Sequence, residues 1–341
     1  MTLSTSRNHL SRSIASKPLI LAGWLAIGLT AQPAQAALTF SFNYLNPGEG
    51  FDDPIFGAER KAALNEAANA LGAYFGNYTA NLVYDVTSYS SDDNTLASAG
   101  SAAYLDPGTF QQTFVQTKII DGIDENGSAA DGDIYWNFSH NWGLGDTVGN
   151  DQYDFKSTAI HELLHSFGFT SYVGEGGLGL EGQAPGTADT WSIFDSFLTD
   201  ASGNWLIDNN GVFDPNKIDA LTAGAPNASG VFFSGEHALA VSGGAGIPIY
   251  TPNPWEDGSS IAHLDDDSEV SNTSIMNAKA HGQGLDVRVL GALELAVLKD
   301  IGYTQVAAPT AVPLPNAAWM MLGGLLGILG LKRRNGSVRS V

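Results

Sequence analysis

The sequence predicts an α+β fold, and three observations carry that expectation. Residues 37–44, 80–89 and 133–139 alternate apolar with polar side chains, as half-buried strands do. Residues 59–75 and 289–301 repeat their apolar positions at helical spacing. Residues 155–169 are apolar or small on most sides, as a helix buried beneath a cleft would be.

The elements follow in order. Leu38, Phe40, Phe42 and Tyr44 alternate with Thr39, Ser41 and Asn43, which gives a first strand. Pro47, Gly48, Gly50 and Pro54 then make a turn-rich stretch. In the helix at 59–75, Ala63, Ala67, Ala70, Leu71 and Tyr74 share one side, and Gly76-Asn77 ends it. A second strand covers 80–89, and the small, polar stretch 90–107 reads as loop. The acidic, glycine-rich segment 121–133 leads into the strand at 133–139. After the buried helix come a glycine-rich loop at 174–186, a short helix or strand at 191–198, and a hairpin with a polar tip at 198–207. Residues 230–250 read as strand and loop, and 252–260 as turn. In the closing helix Leu290, Leu293, Ala296, Val297 and Ile301 recur, Gly302 stops it, and 304–311 reads as a linker. No internal repeat has a solenoid period.

Both ends read as processing signals. Arg7, Arg12 and Lys17 precede an apolar run at 18–29 and then Ala34-Gln35-Ala36, the order of a secretory signal cleaved after Ala36. At the other end Val312-Pro313-Leu314-Pro315 precedes an apolar run at 317–331 and a basic stop, Lys332-Arg333-Arg334. Fifteen apolar residues in a helix rise only about 22 Å, a thin membrane span. This tail resembles the PEP-CTERM sorting signal of Gram-negative bacteria. The resemblance implies removal by an exosortase, a transient membrane association through the C-terminal helix, and an extracellular or cell-surface destination.

Charge divides the same way. All 36 acidic residues lie between the two signals, while seven of the 15 basic residues lie within them. The region between therefore sets eight basic residues against 36 acidic ones, a balance of −28 that disfavours nucleic acid and anionic membrane as partners. There is no cysteine, which excludes thiolate metal sites, cysteine nucleophiles and a cysteine latch.

The chemistry concentrates at His161-Glu162-Leu163-Leu164-His165. Histidines four apart on a helix lie one turn apart on one face, so both imidazoles can reach one ion. Glu162 can reach a water on that ion without ligating it, which is the H-E-x-x-H arrangement of zinc hydrolases. Zinc would polarise a scissile carbonyl and acidify its water, and Glu162 would act as general base. A catalytic zinc takes a third protein ligand. The compact pattern would put a histidine at 171, which is Ser171 here. The residues alone leave His140, His237, His263, His281, Glu175, Glu181, Asp189 and Asp195 as candidates.

Gly168 after His165, a distant His263 and the run Ser274-Ile275-Met276-Asn277 together resemble the leishmanolysin-type metzincins. The stretch Leu298-Lys299-Asp300-Ile301-Gly302-Tyr303 is similar to the ending of bacterial PEP-CTERM metallopeptidases. The resemblance implies one peptidase domain over 37–303, with a twisted mixed sheet, an active-site helix and an irregular lower subdomain. It implies His161, His165 and His263 as zinc ligands, Glu162 as base, and a methionine turn at Met276 beneath the metal. The expected activity is an exported zinc endopeptidase whose partners are a protein or peptide substrate and the exosortase and export machinery. Two alternatives are a non-catalytic matrix or surface protein with a structural metal site, and a metal-dependent hydrolase of another polymer. His281 is a candidate donor to an oxyanion, and the strand at 133–138 a candidate to pair with substrate backbone. Asp265-Asp266-Asp267 and 121–133 offer oxygen ligands suited to calcium, without EF-hand spacing.

Overall fold

The computed structural model describes residues 37–224 and 229–309. The secretory and sorting segments read from the sequence lie outside the described residues. The fold is α+β with a mixed sheet. Strand β1 (Leu38–Tyr44) and strand β2 (Ala80–Tyr89) pair in parallel, Leu38 opposite Ala80, with helix α1 (Gly57–Gly72) as the crossover. Leu82, Tyr84 and Val86 of β2 are buried and their neighbours are not, as a period of two requires.

The sheet continues from β2 through residues 132–137 to residues 97–100. Strand β5 (Gly132–Asn137) runs parallel to β2. Strand β3 (Ala97–Gly100) lies antiparallel on its far side, Ala97 opposite Trp136, and forms the sheet edge. The expected loop at 90–107 thus contains a strand. Its residues Ala97-Ser98-Ala99-Gly100 carry no apolar alternation, so β5 defines it by pairing. The placement also corrects the reading of 133–138 as a substrate partner. Strand β5 is hydrogen-bonded on both edges, so no ladder remains for another chain.

Two short pieces precede β5: strand β4 (Thr109–Gln111) and helix α2 (Phe114–Ile120). Thr113 and Gln116 cap α2 with a reciprocal capping box. Strand β6 (Trp142–Gly143) pairs with strand β7 (Tyr153–Asp154), which runs into helix α3 (Phe155–Ser166).

Helix α3 is fixed at both ends. Asp154 caps it, accepting from the Ser157 amide at 3.1 Å, and a carboxylate there suits the helix dipole. Arg288 Nε holds the same carboxylate at 2.8 and 3.0 Å. At the other end the Ser166 carbonyl accepts from Thr113 Oγ1 at 2.8 Å and the Phe167 carbonyl from Tyr303 OH at 2.9 Å, satisfying acceptors the helix leaves open. Gly168 turns the chain out at φ +89°, and a Cβ there would stand 2.5 Å from Gln116 Oε1. Helix α1 packs on α3, and its buried face carries Ala63, Leu64, Ala67, Ala68 and Leu71. The aromatic core centres on Trp136 and Phe155, whose rings lie 4.0 Å apart.

The second half is irregular. Strand β8 (Thr190–Ser192) pairs with β4, and a 3-10 turn at Phe194–Phe197 follows, so the ambiguous stretch 191–198 holds both. Strand β9 (Leu198–Thr199) opens the expected hairpin, closed by a Thr199–Trp205 bridge. Strands β10 (Phe232–Phe233) and β11 (Ile247–Pro248) complete a three-stranded sheet. Between them lies helix α4 (Glu236–Val241), not expected from the glycine-rich sequence. It is held from outside: Asp300 accepts the amides of His237 and Ala238, each at 2.9 Å. Helix α5 (Ala292–Asp300) ends at Gly302, φ +119°. Among the described residues no helix is long and apolar enough to cross a membrane.

Candidate metal centre

His161 and His165 project from α3 one turn apart. His263 comes from the irregular half, on a segment tied down by several backbone contacts. Tyr250 N–H donates to the His263 carbonyl and Ile261 N–H to the Tyr250 carbonyl, each at 2.9 Å. Leu264 bridges Ile249 on one side and Asn277 on the other. Ile261, fully buried, adopts φ +66°. A β-branched residue pays about 1–3 kcal/mol for that conformation, so the surrounding contacts hold the approach to His263 against strain.

The three Nε2 atoms converge. His165 lies 3.1 Å from His161 and 3.0 Å from His263, and His161 lies 3.1 Å from His263. Each Nδ1 faces a backbone carbonyl: His161 that of Ile275 at 2.6 Å, His165 that of Phe169 at 2.8 Å, His263 that of Ser259 at 2.8 Å. A carbonyl only accepts, so all three Nδ1 atoms carry the proton. All three Nε2 atoms then present lone pairs to one another, and no hydrogen bond can join them. Protonation would relieve the repulsion, but burial holds all three imidazoles below their usual range. For His165 the value falls to about 3, through burial first and His161 second. Three neutral nitrogen donors aimed at one point lie close enough to hold a cation, and the donor set suits a d-block dication.

A scan against protein-family models finds no match, and a search of curated proteins finds no significant similarity.

The site therefore rests on its own geometry. Glu162 is buried to 8 % exposure, and the Ala99 backbone amide faces its carboxylate. Burial lifts this carboxyl to about 8, with the Ala99 amide opposing. A dication among the neighbouring imidazoles favours the ionised form and draws the value back down. Ala99 lies on β3, the edge strand. Leu96 accepts the Asn137 amide at 3.0 Å on the paired side, so alternation turns the Ala97 and Ala99 backbone groups away from β5.

Met276 is fully buried, and its carbonyl accepts the Leu264 amide at 2.9 Å, one residue past His263. The turn is held from α5 by Glu294, a residue the sequence reading missed. Its carboxylate accepts from Ser274 Oγ at 2.5 Å and Ile275 N–H at 2.9 Å on one oxygen, and from Gly291 N–H at 2.9 Å on the other. Ile275 in turn orients His161. The available signal was a charged residue four after Leu290 and three before Val297, on the apolar face of a predicted helix.

The other candidate ligands have different partners. Ser171 Oγ donates to Asp195 at 2.5 Å, and Asp195 also takes the Tyr172 and Ser192 amides, fixing the loop after α3. Asp189 accepts amides of Glu181, Gln183 and Thr190, and Glu181 accepts from Thr190 Oγ1. His140 contacts the Thr95 carbonyl, His237 pairs with Asp300, and Glu175 is exposed. His281 is not available as an oxyanion donor. Its Nδ1 meets Asp286 at 2.7 Å, and its Nε2 lies 2.8 Å from the Asn272 carbonyl and 3.2 Å from the Asn277 side-chain amide, so both ring nitrogens are engaged within the fold. Beside the histidines a cleft of about 310 Å³ opens between the loop after α3 and the segment before His263, lined by Tyr172, Val173, Leu180, Trp255 and Ala262.

Proposed function

We propose that the chain is an exported, zinc-dependent endopeptidase of metzincin type. One observation carries the proposal: three imidazole lone pairs converge, and the residue after the first histidine is a buried carboxylate facing the Ala99 amide. A structural metal site has no use for that carboxylate, which favours a catalytic reading over a matrix protein. His161, His165 and His263 hold the metal. Zinc bound by three histidines supplies a Lewis acid for a carbonyl oxygen and lowers the pKa of a water to about 7.

The chain's own residues do the rest. Glu162 takes the proton of the attacking water and delivers it to the leaving amine. The Ala99 amide keeps the carboxylate from rotating away. The other backbone groups on the open side of β3 can pair with an extended peptide, which suits peptide over carbohydrate as substrate. The cleft beside His263 accepts a side chain of that peptide. Export rests on the sequence of the two terminal segments, with exosortase processing at the C-terminal one.

The test is Glu162→Gln, assayed on an unstructured protein such as casein. The expected result is zinc content equal to wild type with activity reduced about 10²–10⁴-fold. Full activity in a zinc-loaded E162Q protein, or wild-type activity unaffected by chelation, would contradict the reading.

A further inference from the structure

Past the histidines, three side-chain oxygens are buried without a hydrogen-bond partner: Asp265 Oδ2, Asp266 Oδ2 and Asn277 Oδ1. Asp265 is 1 % exposed and Asn277 4 %. They belong to two chain segments lying side by side. Leu264 bridges Asn277 in parallel, and Asp266 Oδ1 accepts the Lys279 amide at 3.3 Å. Each carboxylate spends one oxygen on backbone amides, Asp265 on Asp267 at 2.8 Å, and leaves the other unused. A buried carboxylate oxygen with no donor is costly, and two together repel. The positive charge that acts on Asp266, Lys279, directs its ammonium to the Tyr250 ring, 5.2 Å from the centroid.

Other acidic stretches differ. In 121–133, Asp131 binds Lys118 and the Val83 amide, and Asp124 also pairs with Lys118; the unmet oxygen of that segment, Asn126 Oδ1, belongs to a neutral amide. Asp208 sits in an exposed turn and accepts the Asn210 and Val212 amides. Asp267, the third acid of its run, is exposed. Among the described residues, buried carboxylate oxygens without a partner therefore occur at this one locus.

We propose that Asp265, Asp266 and Asn277 bind a calcium ion through their side-chain oxygens. Two carboxylates and one amide carbonyl are hard ligands of the kind calcium takes, with backbone carbonyls and water completing its six to eight. Asp265 follows His263 by two residues and Asn277 follows Met276 by one, so the ion ties the segment of the third histidine to the methionine turn. The site stands independently of any catalytic role for the histidines.

The full chain, as purified and chelator-washed, is titrated with calcium chloride by calorimetry, with zinc content measured on the same samples. The expected result is one calcium per chain and a raised melting temperature. Asp266→Asn and Asn277→Ala each weaken binding at least tenfold, and Asp208→Asn, a control for the general acidity of the surface, does not. A turned Asn277 amide, donating to the carboxylates and accepting from His281, is the competing arrangement, and it predicts no bound calcium. Absence of binding at millimolar calcium in the wild type, or binding undiminished in both D266N and N277A, overturns the proposal.

Discussion

Glu294→Gln isolates the link between the closing helix and the metal. The side chain is 2 % exposed and its two oxygens take three donors. The amide replaces one oxygen with an NH₂ group, which faces donors whichever way it turns. If the oxygen stays toward Ser274 and Ile275, the Gly291 bond is lost; if it turns, the other two are lost. A hydrogen bond to a charged group contributes about 1.5–3 kcal/mol, so the fold loses at least that much. Ile275 carries the carbonyl that orients His161, so looser positioning of the turn lowers metal affinity. Removing an outer partner of a metal ligand costs about 10–100-fold in affinity. The assays are urea unfolding of the metal-free protein and zinc competition against a chromogenic chelator. Unchanged zinc affinity in a protein destabilised as expected would refute the link between Glu294 and the site.

Two further perturbations follow from the same geometry. Gly168→Ala places a side chain at φ +89° and against Gln116, so it destabilises the fold by about 1–3 kcal/mol, read from the urea midpoint; an unchanged midpoint contradicts the account of how α3 ends. Acidification tests the histidines. Their pKa values in the fold lie below the ordinary 6.5, so the stability they contribute is present above 6.5 and lost as pH falls through the lowered values. The metal-free protein thus weakens on the acid side of 6.5. The loaded protein keeps zinc through that pH and releases it only in stronger acid; release centred at 6.5 would contradict burial as the cause.

The sequence was legible where side chains carry a period or a motif. The α+β class, β1, β2 and α1 follow from alternation and helical spacing, and His161 and His165 from their separation on one helix. The third position was not decidable from the residues, since His263 lies 98 residues beyond His165 and eight candidates were open. Convergence of the Nε2 atoms singles out His263, the one the resemblance implied. Strand β3 was illegible because small residues give no pattern, and α4 because Asp300, distant in sequence, caps it. Glu294 reaches Ser274 and Ile275, and Asp195 reaches Ser171 and Tyr172, only after folding, so spacing could not assign those partners.

The proposed chemistry depends on a metal gripped by two residues of one helix and a third from the far half of the chain. Zinc content per chain, measured by mass spectrometry after exhaustive dialysis, tests it in wild type and His263→Ala side by side. Near one zinc is expected in the wild type, with most of it lost in H263A. A wild type that retains none, or an H263A protein that retains as much, would contradict it.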